Sequence, residues 1–161
     1  MSNRTLTDLL SQLERTTGKS YAPRTFRERL RIQKSVYLMR ALGDRASSRY
    51  QYSHYFYGPY SPALAKDYYA LRPGSIDGSG VRAVPPNTVH GKRLAIVADA
   101  VRRGNDFLEA VVTVHSMASY NPDASKAAIR DLFGSVKEEL AEKFEEAWTY
   151  LREHGLVEER T

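Results

Sequence analysis

Leu6, Leu9, Leu10 and Leu13 fall on one helical face with polar residues between them. Leu6–Glu14 therefore reads as a short amphipathic helix, with a loop over 16–23 behind it. Thr25 and Glu28 then form a T-x-x-E capping box, and the helix it opens runs to about Leu42, before Gly43. Phe26, Leu30, Gln33, Tyr37 and Ala41 share one face of that helix, flanked by Ile32, Val36 and Met39. Arg24, Arg27, Arg31 and Lys34 gather on another side. The second half is apolar nearly all round, which predicts burial and obliges Gln33 to find partners inside.

The stretch Tyr50 to Leu71 holds seven of the chain's 11 tyrosines. Large rings on both alternation phases from Tyr50 to Tyr57 predict a strand covered on both faces. Gly58-Pro59 reads as a turn, and Ser61-Pro62 as a helix start, with Ser at the N-cap and Pro at the first helical position. That helix turns Leu64, Ala65, Tyr68 and Leu71 inward and ends at Arg72-Pro73-Gly74. Residues 73–90 form a long Gly-, Pro- and Ser-containing loop, expected to be flexible or partly paired. Within it, Val81–Val84 is expected to add a short strand.

Further on, Lys92–Arg103 is a helix closed by Gly104, and Asn105 caps the next, with Asp106 in its first turn. Phe107, Leu108, Val111, Val112, Val114, His115, Met117 and Ala118 surround the axis of that helix and mark it as central, up to Asn121-Pro122. Ser125–Phe133 is expected to be a short helix ending at Gly134. Ser135 and Glu138 form a second capping box for the last helix, whose buried stripe is Leu140, Phe144, Ala147, Trp148 and Leu151. The expected architecture is mainly α. It is one compact multi-helix domain over 1–161 with a small β element, two or three short strands near residues 50–57 and 81–84.

Composition adds limits. The length suits one domain with its own core, and no apolar run reaches the roughly 20 residues of a membrane span. The start of the chain lacks a secretory signal, so a cytoplasmic location is expected. With no cysteine there is no thiolate metal site, disulfide or cysteine nucleophile. Net charge is +5, unevenly spread. Residues 1–103 carry 18 Lys/Arg against 7 Asp/Glu, and residues 104–161 carry 6 against 12. A basic first half suits an anionic partner, nucleic acid included, or simply complements the acidic half within one fold.

No catalytic motif stands out. His54, His90, His115 and His154 have no metal-ligand spacing, and nucleophile-elbow, phosphate-loop and dinucleotide signatures are absent. Asp67, Asp106 and Glu109 could converge only through the fold. The acidic last helix, with Glu138, Glu139, Glu142, Glu145, Glu146 and Glu153, argues against DNA reading by that element. No catalytic residue, metal or cofactor is therefore assigned. The tyrosine cluster reads as an aromatic core, a protein-recognition surface or a base-stacking platform. Tyr52, Tyr55, Tyr57 and Tyr60 are its candidates for display.

Four pieces carry a resemblance: Arg31–Leu38 (RIQKSVYL), Tyr57–Asp67 (YGPYSPALAKD), Leu108–His115 (LEAVVTVH) and Ala147–Val157 (AWTYLREHGLV). In this order the chain resembles the Panacea/SocA-like antitoxin-type domain and its uncharacterised YwgA-like prokaryotic relatives. The tyrosine- and arginine-rich first half departs from that pattern, as does Ser35-Val36 where leucines are commoner. The resemblance implies a mostly helical fold with a small β element. For some members it implies an antitoxin role, by neutralising a toxin or by delivering it to a protease as an adaptor. The expected function is accordingly a non-enzymatic module for a toxin- or protease-type protein partner. Gln33, Lys34, Tyr55, Tyr57, Tyr60 and Asp67 would shape its site, with Lys34 pairing with Asp67 or with an acid of the partner. The alternatives are nucleic-acid binding by the basic residues 24–50 through Arg24, Arg27, Arg31 and Lys34, and an enzyme with an unrecognised site.

Overall fold

The core is assembled around one helix. In a computed structural model, which describes residues 3–55 and 58–158, this is α5 (Asn105–Tyr120). Phe107, Leu108, Val111, Val112, Val114 and Met117 are all buried on it. The other α-helices are α1 (Asn3–Thr17), α2 (Phe26–Ala41), α3 (Pro62–Tyr69), α4 (Val89–Arg102), α6 (Lys126–Val136) and α7 (Phe144–Glu153). Short 3-10 turns cover Ala46–Arg49 and Glu138–Lys143. Helices α2, α4, α6 and α7 pack on α5, and α1 closes the far side of α4. The protein is mainly α with a two-stranded antiparallel sheet. None of its described helices is long and apolar enough to cross a membrane.

The N-terminal elements follow the hydrophobic pattern closely. Leu6, Leu9, Leu10 and Leu13 of α1 are buried. In α2 every residue from Ile32 to Met39 is buried. Its Thr25–Glu28 capping box is formed in both directions, each bond at 3.1 Å. At the other end of the chain, Leu140, Phe144, Ala147, Trp148 and Leu151 are all buried. The Trp148 ring stacks on Phe144 at 5.8 Å. Burying each large side chain of this kind is worth about 1.5–3 kcal/mol.

Several local expectations are corrected. The small sheet is a hairpin of β1 (Ser53–Tyr55) and β2 (Gly58–Tyr60), registered with Ser53 opposite Tyr60 and Tyr55 opposite Gly58. Gly58-Pro59 is thus strand rather than turn. A two-stranded ribbon leaves one edge of each strand unpaired, where a proline lacking its N–H is tolerated. Gly58 has φ +101°, and a Cβ there would meet Thr113 Oγ1 of α5 at 3.0 Å. The hairpin therefore rests directly on the central helix.

Val81–Val84 is not a strand. The loop before it is occupied with α1 instead: Asp77 N–H donates to Ser11 Oγ at 3.0 Å and Gly78 N–H to Glu14 Oε2 at 2.9 Å. Gly104, not Asn105, is the N-cap of α5, with φ 110°. Helix α6 runs through Gly134 to Val136, because buried Phe133 and the pull of Lys137 toward α5 carry it on. Ser135 donates to Leu132 O and caps nothing, so α7 starts only at Phe144.

Candidate functional site

Adjacent buried polar residues leave α2 in different directions. The Gln33 amide faces the start of α3, where its Nε2 donates to Ser61 O at 2.9 Å and its Oε1 accepts from Ser61 N–H at 2.8 Å. Ser61 is itself the N-cap, its hydroxyl accepting from Leu64 N–H at 3.2 Å. Gln33 is therefore spent on fixing where α3 begins. Lys34 turns the other way. Its ammonium donates to Glu109 Oε1 of α5 at 3.0 Å, and the ammonium of buried Lys137 stands 3.4 Å from Glu109 Oε2. The expected Lys34–Asp67 pair is absent, because Asp67 lies at α3, where it accepts from the Tyr50 hydroxyl at 2.6 Å and meets Arg49 at 3.9 Å.

The tyrosines are mostly interior. Tyr21, Tyr50, Tyr68 and Tyr150 are fully buried, and Tyr52 and Tyr60 pack partly buried against the core. The Tyr21 hydroxyl bonds Ser35 at 2.8 Å and that of Tyr150 bonds Ile96 O at 2.5 Å, while the Tyr52 hydroxyl is shut off from solvent with no hydrogen-bond partner among the described residues. Burial raises the phenol pKa of Tyr21 to about 12, so it is a neutral partner. Tyr52 and Tyr60 are thus not the open display expected of them. Tyr55 contributes its backbone to β1, and Tyr57 lies outside the described residues. Of the proposed set, Gln33 and Tyr60 both reach Tyr68, while Lys34 turns to Glu109 and Asp67 to Tyr50.

The open surface is elsewhere. A groove of about 320 Å³ runs between the 22–24 loop and the end of α3, floored by Tyr68, Leu71 and Ile76 and rimmed by Arg24 and Arg72. Tyr69 stands at its edge, 62% exposed, with the Arg29 guanidinium 6.0 Å from its ring centre. Arg24 also lines a shallower depression of about 560 Å³ that carries Arg15 and Lys19. The two form one continuous track through Arg24. Among the described residues none of these five cations is in an ion pair. The acids beside them are engaged: Glu14 accepts from the N–H groups of Tyr21 and Gly78, and Asp77 from Ser79.

No family model, curated protein or solved structure matches the chain. Chemistry must therefore be judged from the side chains themselves. Ser116 Oγ lies 3.0 Å from His54 Nε2, the reach of a nucleophile and base. Ser116 is only 3% exposed, however, which keeps a substrate from its hydroxyl. His115 shares a 2.6 Å hydrogen bond with the Tyr37 hydroxyl. Burial lowers its pKa from 6.5 to about 4, and Arg40 pushes the same way. It is a neutral, satisfied core histidine at neutral pH. No group of three His, Asp or Glu among the described residues could hold a metal ion.

The four basic residues singled out from sequence divide. Arg24 belongs to the groove, while Arg27, Arg31 and Lys34 line a separate cleft between α2 and the start of α5. Sequence reasoning missed Tyr69, Arg72 and Ile76. Tyr69 had a readable signal: the inward set Leu64, Ala65, Tyr68 and Leu71 leaves position 69 on the outer face. Arg15 and Lys19 had none, because the depression they line is completed only by Asp77, Gly78 and Ser79 of the 73–90 loop folding back on α1.

Proposed function

We propose that the chain is a non-enzymatic binding module of the antitoxin or adaptor type, and that it grips an acidic stretch of a protein partner in the groove centred on Arg24. The observation that supports this reading is the track itself, an apolar floor at Tyr68, Leu71 and Ile76 rimmed by Arg24 and Arg72 and extended by Arg15 and Lys19. Tyr and Arg at the edge of a concave surface are the residue types that dominate protein-recognition hot spots. Charge complementarity selects an acidic partner segment, and the floor selects one that also carries apolar side chains. The resemblance to antitoxin-type domains supplies the class of partner, a toxin or a protease that an adaptor serves.

The test is binding of a fluorescent peptide that alternates Glu with Leu and Phe, compared with an oligouridine of similar length. The expected outcome is peptide binding that Arg24→Gln and Tyr69→Ala each weaken about tenfold. Tight oligouridine binding that collapses with rising salt, with the peptide left unbound, would replace this reading with a single-strand nucleic-acid platform built on Tyr69. Neither ligand binding at low salt would remove the groove from consideration.

A further inference from the structure

The cleft between α2 and the start of α5 encloses about 230 Å³ and shares no wall residue with the Arg24 track. At its base, Lys34 is 5% exposed and ion-paired to Glu109 at 3.0 Å. Burial pushes the Lys34 ammonium below its usual pKa against the pull of Glu109, and the like charge of Lys137 adds to the push. The wall carries Arg27 and Arg31 as well, so three cations face two carboxylates, Asp106 and Glu109. Arg31 is held in place by its Nη1 donating to Ser20 O at 2.7 Å. Its Nε, shut off from solvent, has no hydrogen-bond partner among the described residues. Leu30, Leu108 and Phe26, the last 53% exposed, line the rest.

We infer that this cleft binds a carboxylate carried on a short apolar group. With Lys137 also on Glu109, the cations of this cluster outnumber its two carboxylates, which favours an anion. A planar carboxylate matches a guanidinium fork, and its apolar carrier, unlike inorganic phosphate, can use Phe26, Leu30 and Leu108. The apolar residues then receive the group that carries it, in a space smaller than that of drug-sized ligands. The carboxylate can be that of a free small acid or of an Asp or Glu side chain on a partner. The inference stands independently of the Arg24 groove.

The experiment is a titration of the full chain with phenylacetate, its neutral isostere phenylacetamide, inorganic phosphate and N-acetyl-Asp-Phe-amide, read by backbone amide chemical shifts. Phenylacetate should bind with a Kd on the order of 1 mM, shifting amides over 27–34 and 105–109. Phenylacetamide should bind at least about tenfold more weakly, and Arg31→Gln should weaken phenylacetate about tenfold. Because Arg31 also holds Ser20, the exposed Arg27→Gln is the second variant, with the same direction expected. The dipeptide binding more tightly than phenylacetate identifies a partner's side chain as the source, and the reverse identifies a free acid. Equal binding of phenylacetate and phenylacetamide overturns the inference. So does phosphate binding as well as phenylacetate, or an affinity unchanged in both arginine variants. None of those results touches the Arg24 groove, whose own peptide test stands apart.

Discussion

Gln33 and Lys34 are neighbours on one helix and equally hidden from water, yet the fold uses them oppositely. The neutral amide is engaged on both its atoms by one backbone unit, donating to and accepting from Ser61. The ammonium shares one carboxylate with a second ammonium and stands in the wall of a cleft. A neutral buried group with its bonds made is finished structure. A buried charge whose partner is also claimed by Lys137 leaves an electrostatic imbalance that a ligand can answer. The pair that looked like one polar site along the sequence is a structural clamp beside a chemically unbalanced centre.

The largest expected effect comes from the charged side of that contrast. Glu109→Gln leaves two buried ammonium groups facing each other and should cost about 3–5 kcal/mol in urea denaturation. Lys34→Met should cost clearly less, because Lys137 and Glu109 remain as a pair. If the two variants were equally destabilised, the shared-carboxylate account would be wrong. On the neutral side, Gln33→Leu orphans the buried Ser61 N–H, while Ser61 O still accepts from Ala65 N–H. The expected loss is about 1–3 kcal/mol. A neutral outcome would show that α3 starts where it does without the clamp.

Acid sharpens the comparison with a third buried polar group. The folded His115 resists protonation down to about pH 4, whereas the unfolded chain takes up that proton near 6.5. The unfolded state therefore binds more protons in this interval, and stability should fall as pH drops from 6.5 toward 4. His54, also lowered by burial, contributes in the same direction. His115→Gln should flatten the slope of stability against pH, and an unchanged slope would assign the acid sensitivity elsewhere. The smallest effect is expected at the surface. Tyr69→Ala should change stability by no more than about 0.5 kcal/mol while weakening the acidic peptide, which separates recognition from folding at that ring.

What could be read ahead of the fold follows a physical division. The leucines of α1, the all-round apolar half of α2 and the Leu140–Leu151 stripe are set by local periodicity, and they are buried as the pattern demands. The Ser61-Pro62 start of α3 and the Thr25–Glu28 box are local chemistry and were equally legible. Gly134 was misread because a glycine ends a helix only where the backbone turns left-handed, and here Phe133 and Lys137 hold the chain helical past it. The partner of Lys34 was invisible because it lies 75 residues away along the chain, on a helix whose own pattern announces only its apolar side. The tyrosines misled for a related reason. A ring hydroxyl that finds Asp67, Ser35 or Ile96 O inside makes a polar-looking residue a core one.

Trp148 is the chain's single tryptophan, 2% exposed and stacked on Phe144. Any intrinsic indole emission therefore comes from the buried side of α7, which packs on α5. A red-shifted spectrum will register the loss of that packing.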